Sequence, residues 1–295
     1  MNPQPRVSLC VLASGSSGNC SLLRISGDNG AEQLFLIDAG ISPRRTRTMI
    51  AAMGLGDLPI SGIILTHLDH DHWHNGWLNA LAAGIPVWCH ATHANRARSV
   101  SMHRLNLCTF EDCFSPVSEL EVESVLASHD ELGSAVFRLS LPGCGPFLGF
   151  ATDLGRVQPD IVQFLAGVDT LAIESNYCPE LQRTSDRPQF LKDRIMAGSG
   201  HLSNQQCLQA IARIKPLRRV VLLHLSRQCN TPERAVLGHE RSLYSLVLTS
   251  SAIPTPWLDL KPAPRRADPM LPRSLFDGLI GSIAAQPPQT AELRP

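Results

Sequence analysis

Short apolar runs alternate along the chain with polar, glycine-containing stretches, and most runs end where titratable residues begin. Apolar runs of about four to eight residues between turn residues are typical of buried strands, whereas apolar positions at helical spacing are typical of amphipathic helices. The pattern predicts strands over 6–13, 20–25, 33–38, 60–66, 85–89, 120–128, 135–141, 147–152, 168–174 and 219–224. It predicts helices over 42–53, 77–83, 156–166, 187–197, 203–214 and 232–249, with Ser42 and Ser203 as N-caps. Strands interrupted by single helices predict an α/β protein, a four-layer αββα sandwich.

Length and composition indicate one large domain followed by a tail. The 295 residues are 43% hydrophobic, which is enough for a single large core. After about Leu260 the chain becomes rich in proline, so we expect one folded domain over 1–260 and a flexible tail over 261–295. Within that tail, 275–283 is a candidate short docking helix.

Charge limits the ways in which the chain can bind nucleic acid. It has 26 basic and 26 acidic residues, whereas a protein that wraps many phosphates has a basic excess. Only 5% of residues are aromatic, so no base-stacking surface is indicated. Contact with nucleic acid would therefore be local, at clusters such as 44–47 or 96–104, although such clusters also serve as solvated helix faces.

Cysteine use and the apolar runs indicate the compartment. The nine cysteines include no C-x-x-C pair, and several lie within apolar stretches, as free thiols do. The start of the chain does not resemble a signal peptide, and no apolar run is long enough to span a bilayer. We therefore expect a cytoplasmic protein without a membrane partner.

The six residues 67–72, H-L-D-H-D-H, lie directly after a predicted strand and contain four potential metal ligands, His67, Asp69, Asp71 and His72, with His70 as a bystander. In a tightly turning loop, alternate residues project to one side, so His67 and Asp69 would hold one ion while Asp71 and His72 hold a second. Imidazole and carboxylate ligands suit zinc, manganese or iron. Further candidates follow other apolar runs or open a predicted helix: His129, Asp153, Glu174, His201, Asn204 and His224. A lone H-x-D is usually a solvated turn, but this density of ligands favours a metal-dependent hydrolase.

This pattern resembles the metallo-β-lactamase superfamily of metallohydrolases, whose signature is H-x-H-x-D-H after a strand, with the αββα fold. Asp69 stands where the second histidine is usual, and its harder oxygen ligand favours manganese beside zinc. The resemblance implies one ion held by His67, Asp69 and His129, a second held by Asp71, His72 and His224, and Asp153 shared by both. Longer stretches resemble the YycJ/WalJ-type subgroup, regarded as DNA exonucleases: 14–19, 36–42, 174–176, 200–204, 224–226 and 230–233.

Two further groups of residues have expected roles in catalysis. Glu174 and His201 resemble the pair in tRNA-processing ribonuclease Z that delivers a proton to the leaving oxygen; alternatively, His201 is a buried residue that caps the following helix. The loop over 14–19 could support phosphate or the metal site, or it could be an ordinary hairpin turn, and Asp38 is expected to brace ligands. The candidates for binding substrate phosphate are Ser16, Asn19, Asn204 and Ser226, the last two of which could instead cap loops.

We therefore expect a binuclear metal-dependent phosphodiesterase, a 5′-3′ exonuclease acting on DNA or RNA. In this interpretation a hydroxide between two divalent ions, zinc, manganese or iron, attacks phosphorus, and Asp71 also orients it. One alternative is a phosphodiesterase of a small phosphate ester, favoured by the zero net charge. Another is a non-catalytic binding or scaffold protein, for which Asp69 is the only support. The sequence leaves the choice of polymer or small substrate and the oligomeric state open.

Overall fold

The computed structural model describes residues 5–27, 30–198 and 200–264. The strands are β1 Arg6–Ala13, β2 Cys20–Ser26, β3 Glu32–Ile37, β4 Ile60–Ile64, β5 Pro86–His90, β6 Asn106–Phe110, β7 Cys113–Val117, β8 Leu120–Ala127, β9 Ser134–Ser140, β10 Pro146–Ala151, β11 Thr170–Glu174, β12 Arg219–Leu223, β13 Ser245–Leu248 and β14 Leu258–Leu260. The α-helices are α1 Pro43–Ala52, α2 Trp77–Ala80, α3 Ala94–Ser99, α4 Pro159–Leu165, α5 Pro179–Thr184, α6 Gln189–Met196, α7 Asn204–Ile214 and α8 Pro232–Ala235.

The strands form two seven-stranded sheets. The first has the order β14-β1-β2-β3-β4-β5-β6, and the second has the order β13-β12-β11-β10-β9-β8-β7. Each sheet is mixed, because hairpin-like antiparallel pairs such as β1 with β2 continue into parallel pairs such as β3 with β4. Parallel strands need crossover connections, and these supply the helices that cover the sheets.

Alternation of apolar side chains along β1 shows how the layers are held together. Leu9 and Val11 pack into a core that also contains Phe137 of β9, so this core lies between the two sheets. Cys10 and Leu12 point the other way, into a core shared with α1 and α2. A third core joins the outer face of the second sheet to α4 and α7. Period-two burial on both faces therefore produces the layers α, β, β and α.

Several strand ends that carry candidate ligands meet at one edge of the second sheet. Strands β10, β11 and β12 are parallel neighbours, so their carboxyl ends lie together. Strand β8 is antiparallel to β9, which is antiparallel to β10, so β8 ends at the same edge. Residues 129, 153, 174 and 224 are therefore brought close together although up to 95 positions separate them in sequence.

All ten predicted strands are present, but the helix predicted over 232–249 is wrong. Only Pro232–Ala235 is helical, and Gly238 follows with a left-handed φ of 82°. Ser245–Leu248 instead pairs in parallel with β12 as the edge strand of the sheet. Its apolar run, at 246–248, is only three residues long. The sequence analysis also missed β6, β7, β14, α3 and α5.

The predicted tail lies, from residue 265 onward, outside the described residues, as does the candidate helix over 275–283. In the part of the chain that the structure describes, no helix combines the length and apolar character needed to cross a membrane.

Candidate metal centre

The H-L-D-H-D-H segment begins three residues after the end of β4 and forms a tight turn. The backbone N–H groups of His72 and Trp73 both donate to the carbonyl oxygen of Asp69, at 2.8 and 2.9 Å. The turn brings the imidazole rings of His67 and His72 to a centroid separation of 4.0 Å. A single short loop therefore presents several ligand atoms to one shared space.

Ligand atoms from this loop and from the strand ends form four groups, in each of which the atoms lie within 4.8 Å of one another. The groups are His67, Asp69 and His129; His67, His72 and Asp153; Asp71, His72 and His224; and Asp153, Glu174, His201 and His224. The first and third groups contain the residues that the family resemblance implies for the two ions. The first sheet supplies the loop after β4, and the second sheet supplies the remaining ligands, so the centre lies where the two sheets meet.

Asp153 lies between these groups. Its Oδ2 atom is 2.8 Å from Nε2 of His72, and its Oδ1 atom is 3.3 Å from Nδ1 of His224. Asp153 and His224 have left-handed backbone φ angles of 52° and 55°, and Asp38 has one of 60°. Residues other than glycine rarely adopt this region, and such conformations cluster at functional sites where surrounding contacts hold them.

The buried carboxylate of Asp38 orients His72, as the sequence predicted for this residue. Asp38 Oδ2 accepts a hydrogen bond from Nδ1 of His72 at 2.7 Å, and Asp38 Oδ1 accepts from the backbone N–H and hydroxyl of Thr66, both at 2.9 Å. With Nδ1 engaged, the Nε2 atom of His72 faces the shared space. A carboxylate behind an imidazole fixes the ring and its tautomer, which is the usual support for a metal-binding histidine.

The chemistry of His67 fits a bound cation. Its side chain is fully buried, and its Nε2 atom has no hydrogen-bond partner among the described residues. Burial, together with the neighbouring His72, holds the pKa of His67 well below its usual range, so the ring is neutral and Nε2 can offer a lone pair. A buried polar atom without a partner is costly. A metal ion at this position would satisfy it, with Asp69 and His129 alongside.

Glu174 and His201 form the pair that the sequence analysis proposed. Nδ1 of His201 lies 2.7 Å from Glu174 Oε1 and 3.2 Å from Asp153 Oδ1. Glu174 is fully buried and also accepts from the backbone N–H groups of Leu154 and Leu202, at 2.8 and 3.2 Å. Burial opposes the charged imidazole, but the two carboxylates outweigh it and raise the pKa of His201 to about 10. The two carboxylates therefore favour the protonated form of His201.

The four candidates for binding substrate phosphate have different surroundings. Ser16 and Ser226 line one polar pocket. The amide nitrogen of Asn19 lies 3.0 Å from Nε2 of His72, so this residue borders the ligands themselves. Asn204 is buried, and its side chain bonds Ser175 and Asn230 at 2.8 and 2.9 Å. These hydrogen bonds hold the side chain of Asn204 at the start of α7. They favour the capping role, which was the alternative to phosphate binding.

Two residues beside the ligands were not assigned to the site from the sequence. Arg96, considered only as part of a surface cluster, forms ion pairs with Asp69 and Asp130. Asn176 donates to the backbone oxygen of His224 at 2.8 Å and lies 3.2 Å from its Nδ1 atom. Asn176 follows Glu174 within a motif that the sequence analysis quoted, whereas nothing local marks Arg96.

Comparison with known proteins identifies the relatives of this chain. The beta-lactamase superfamily domain matches residues 33–225. The chain is 27% identical over 239 residues to "Exodeoxyribonuclease WalJ" of Streptococcus pneumoniae serotype 2, strain D39, covering 76% of this chain and 84% of that protein. It is 29% identical over 235 residues to "Exodeoxyribonuclease YycJ" of Bacillus anthracis, with the same 76% and 84% coverage.

A solved structure supports the fold. The metallo-beta-lactamase fold protein YhfI from Bacillus subtilis matches with a TM-score of 0.59 and 13% identity, covering 85% of this chain and 99% of that one. The predicted sandwich of the metallo-β-lactamase type is thereby confirmed.

Proposed function

Because the chain belongs to the beta-lactamase superfamily, we propose that it is a metal-dependent phosphodiesterase, specifically an exonuclease that removes nucleotides from DNA ends. The observation that carries this proposal is the position of Asp153, which lies within 3.3 Å of His72, His201 and His224. Ligands and a proton donor thus converge on one point. The two relatives named exodeoxyribonucleases support DNA as the substrate, and a 5′-3′ direction is part of the proposal.

The residues of this chain would hold two divalent ions, zinc or manganese, with iron as a further candidate. His67, Asp69 and His129 would hold the first, Asp71, His72 and His224 the second, and Asp153 both. When bound, two such ions polarise phosphate oxygens and make a nucleophile available near neutral pH. Asp69 gives the first set one nitrogen ligand fewer than the usual signature, which favours a harder ion at that position.

Side chains of the protein would carry out the proton transfer and orient the attacking water. His201, charged and oriented by Glu174, would donate a proton to the alkoxide that leaves when the phosphodiester breaks, since an alkoxide departs poorly without one. The exposed 22% of the His201 side chain gives a substrate access to this ring. Asp71, 3.2 Å from Nε2 of His224, would orient the attacking water.

A phosphodiesterase of a small ester is the second candidate, and the absence of a basic excess in the composition favours it. The Glu174–His201 pair is compatible with both substrates, because each has an alkoxide leaving group. A non-catalytic scaffold would need neither this pair nor the neutral, unpartnered His67 nitrogen.

One experiment separates these functions. Protein reconstituted with zinc or manganese is incubated with end-labelled single- and double-stranded DNA, RNA, and a generic phosphodiester such as bis(p-nitrophenyl) phosphate. We expect stepwise loss of nucleotides from DNA 5′ ends and two ions per chain by elemental analysis. Hydrolysis of the small diester alone would favour the second candidate, and inactivity on every substrate would contradict an enzymatic role.

A further inference from the structure

A polar pocket of about 460 Å³ adjoins the metal centre, and we call it the arginine pocket. Three segments form it: the loop between β1 and β2, the segment after β12, and the stretch that joins α5 to α6. The lining residues are Ser16, Ser17, Arg187, Ser226, Arg227 and Gln228. The lining thus contains two cations and several hydrogen-bond donors, and it includes no carboxylate.

Arg187 is oriented in this pocket without being neutralised. Its Nε donates to Gln228 Oε1 at 2.9 Å, and its two terminal nitrogens donate to Gln182 Oε1 at 3.3 Å and Ser226 Oγ at 3.4 Å. All three acceptors are neutral, and Arg187 forms no ion pair with a carboxylate among the described residues. A half-buried guanidinium held in place by neutral oxygens keeps its charge available for an anion, and its planar donors match phosphate.

Three other half-buried arginines are used differently. Arg96, Arg138 and Arg218 each pair with a carboxylate, with nitrogen–oxygen distances between 2.7 and 2.8 Å. Arg187 therefore differs from them in lacking a counter-ion. Arg227, exposed in the same pocket, has no hydrogen bond or ion pair within the described part of the chain, so both cations of the pocket remain uncompensated.

The arginine pocket is connected to the ligand-bearing segments by direct contacts. Ser14, two residues before Ser16, accepts a hydrogen bond through its hydroxyl from the backbone N–H of His224 at 2.8 Å. The loop of Ser14 also packs against the segment after β12, because a Cβ atom on Gly15 would lie 3.3 Å from the carbonyl oxygen of Leu225. Ser226 follows His224 by two residues, so their Cα atoms are at most about 7 Å apart.

We propose that the arginine pocket binds a phosphate group of the substrate strand next to the one that is cleaved. This inference rests on the proposed nuclease function and extends it. Arg187 and Arg227 supply positive charge, and the hydroxyl groups of Ser16, Ser17 and Ser226 supply further donors to phosphate oxygens. Two cations at one position also explain how a chain of zero net charge binds a polyanion locally.

The test compares a substrate that reaches the pocket with one that does not. Arg187→Gln removes the charge and keeps polar groups, and bis(p-nitrophenyl) phosphate has only the scissile phosphate. We expect kcat/KM for double-stranded DNA to fall at least tenfold further than kcat/KM for the small diester, mainly through KM. The slope of log KM for DNA against log salt should fall by about one, as expected when one phosphate contact is lost. Arg227→Gln should act in the same direction.

Arg213→Gln is the matched control, because Arg213 is an exposed arginine of α7 outside the pocket. It should leave kcat/KM for both substrates unchanged.

DNA carrying a 5′-phosphate or a 5′-hydroxyl then distinguishes the two sources of phosphate. If the unaltered protein prefers the 5′-phosphate and Arg187→Gln loses that preference, the pocket binds the terminal phosphate. If Arg187→Gln loses the same activity on the 5′-phosphate and the 5′-hydroxyl substrates, the pocket binds an internal phosphate. Equal losses on DNA and on the small diester, or no loss on DNA, would overturn the proposal. Failure of the unaltered protein to cleave DNA would instead refute the nuclease function.

Discussion

The guanidinium of Arg96 lies 2.7 Å from Asp69 Oδ1 and 3.2 Å from Asp130 Oδ2. Asp69 occupies the position where the superfamily signature has a histidine, so it adds a negative charge to the first ligand set. The neighbouring His129, whose Nε2 atom is 3.6 Å from Asp69 Oδ2, holds the pKa of Asp69 well below its usual range, with Arg96 acting in the same direction. Arg96 thus offsets the charge that Asp69 introduces, and the site tolerates a carboxylate where an imidazole is usual.

Asp69→His should shift the metal preference toward zinc, because nitrogen is the softer ligand. Activity should remain measurable. The check is elemental analysis after equilibration with an equal mixture of zinc and manganese, with Asp57→His, an exposed aspartate on another loop, as the control. The same zinc-to-manganese ratio in Asp69→His and in the unaltered protein would show that residue 69 does not set selectivity.

Asp153→Asn should deplete bound metal and reduce turnover by several powers of ten. The amide retains the size of the side chain but loses the charge that both proposed ligand sets would share. Metal content and hydrolysis are measured together. His103→Ala changes an exposed histidine outside every ligand group, and it should leave both quantities unchanged. Comparable damage from that control would refute the ligand assignment.

His201→Ala should separate proton transfer from metal binding. We expect the variant to retain its metal and to lose on the order of 10²–10⁴ in rate on natural phosphodiesters, the usual contribution of general acid catalysis. On a nitrophenyl ester, whose leaving group departs without a proton, the loss should shrink sharply. Glu174→Gln should show a weaker form of the same pattern. Equal losses on good and poor leaving groups would exclude His201 as the proton donor.

Gly40→Ala should disrupt the loop of residues 67–72 without altering a candidate metal ligand. A Cβ atom on Gly40 would lie 1.7 Å from the carbonyl oxygen of Asp71 and 2.8 Å from the backbone nitrogen of Asn19. The loop must therefore move, and we expect metal to be lost while the far-ultraviolet circular dichroism stays close to that of the unaltered protein. Gly56→Ala, whose new Cβ would meet Ala51 at 3.2 Å, is the control. Full metal occupancy in Gly40→Ala would show that the loop adapts.

The sequence predicted those parts of the candidate site that depend on neighbouring residues in the chain. The candidate ligands follow apolar runs, and the αββα arrangement follows from how those runs are spaced. It did not predict the contact of Arg96 with Asp69, because 27 positions separate them and only the packing of α3 beside the loop unites them. The same reason applies to Arg187, which reaches Ser226 across 39 positions. Strand β13 was missed because its apolar run, at 246–248, is only three residues long and lies inside the stretch predicted as a helix.

The left-handed backbone at Asp153 and His224 has a consequence for laboratory evolution. Each such residue costs about 1–3 kcal/mol relative to a relaxed backbone, so substitution by glycine would ease the local geometry while deleting a proposed metal ligand. A population selected only for survival at high temperature would be expected to accumulate changes at these two positions and drift toward heat-resistant proteins without activity. Keeping Asp153 and His224 in a thermostabilised library would therefore limit the gain in stability that selection can reach. Their retention would have to be enforced by screening for hydrolysis in every round.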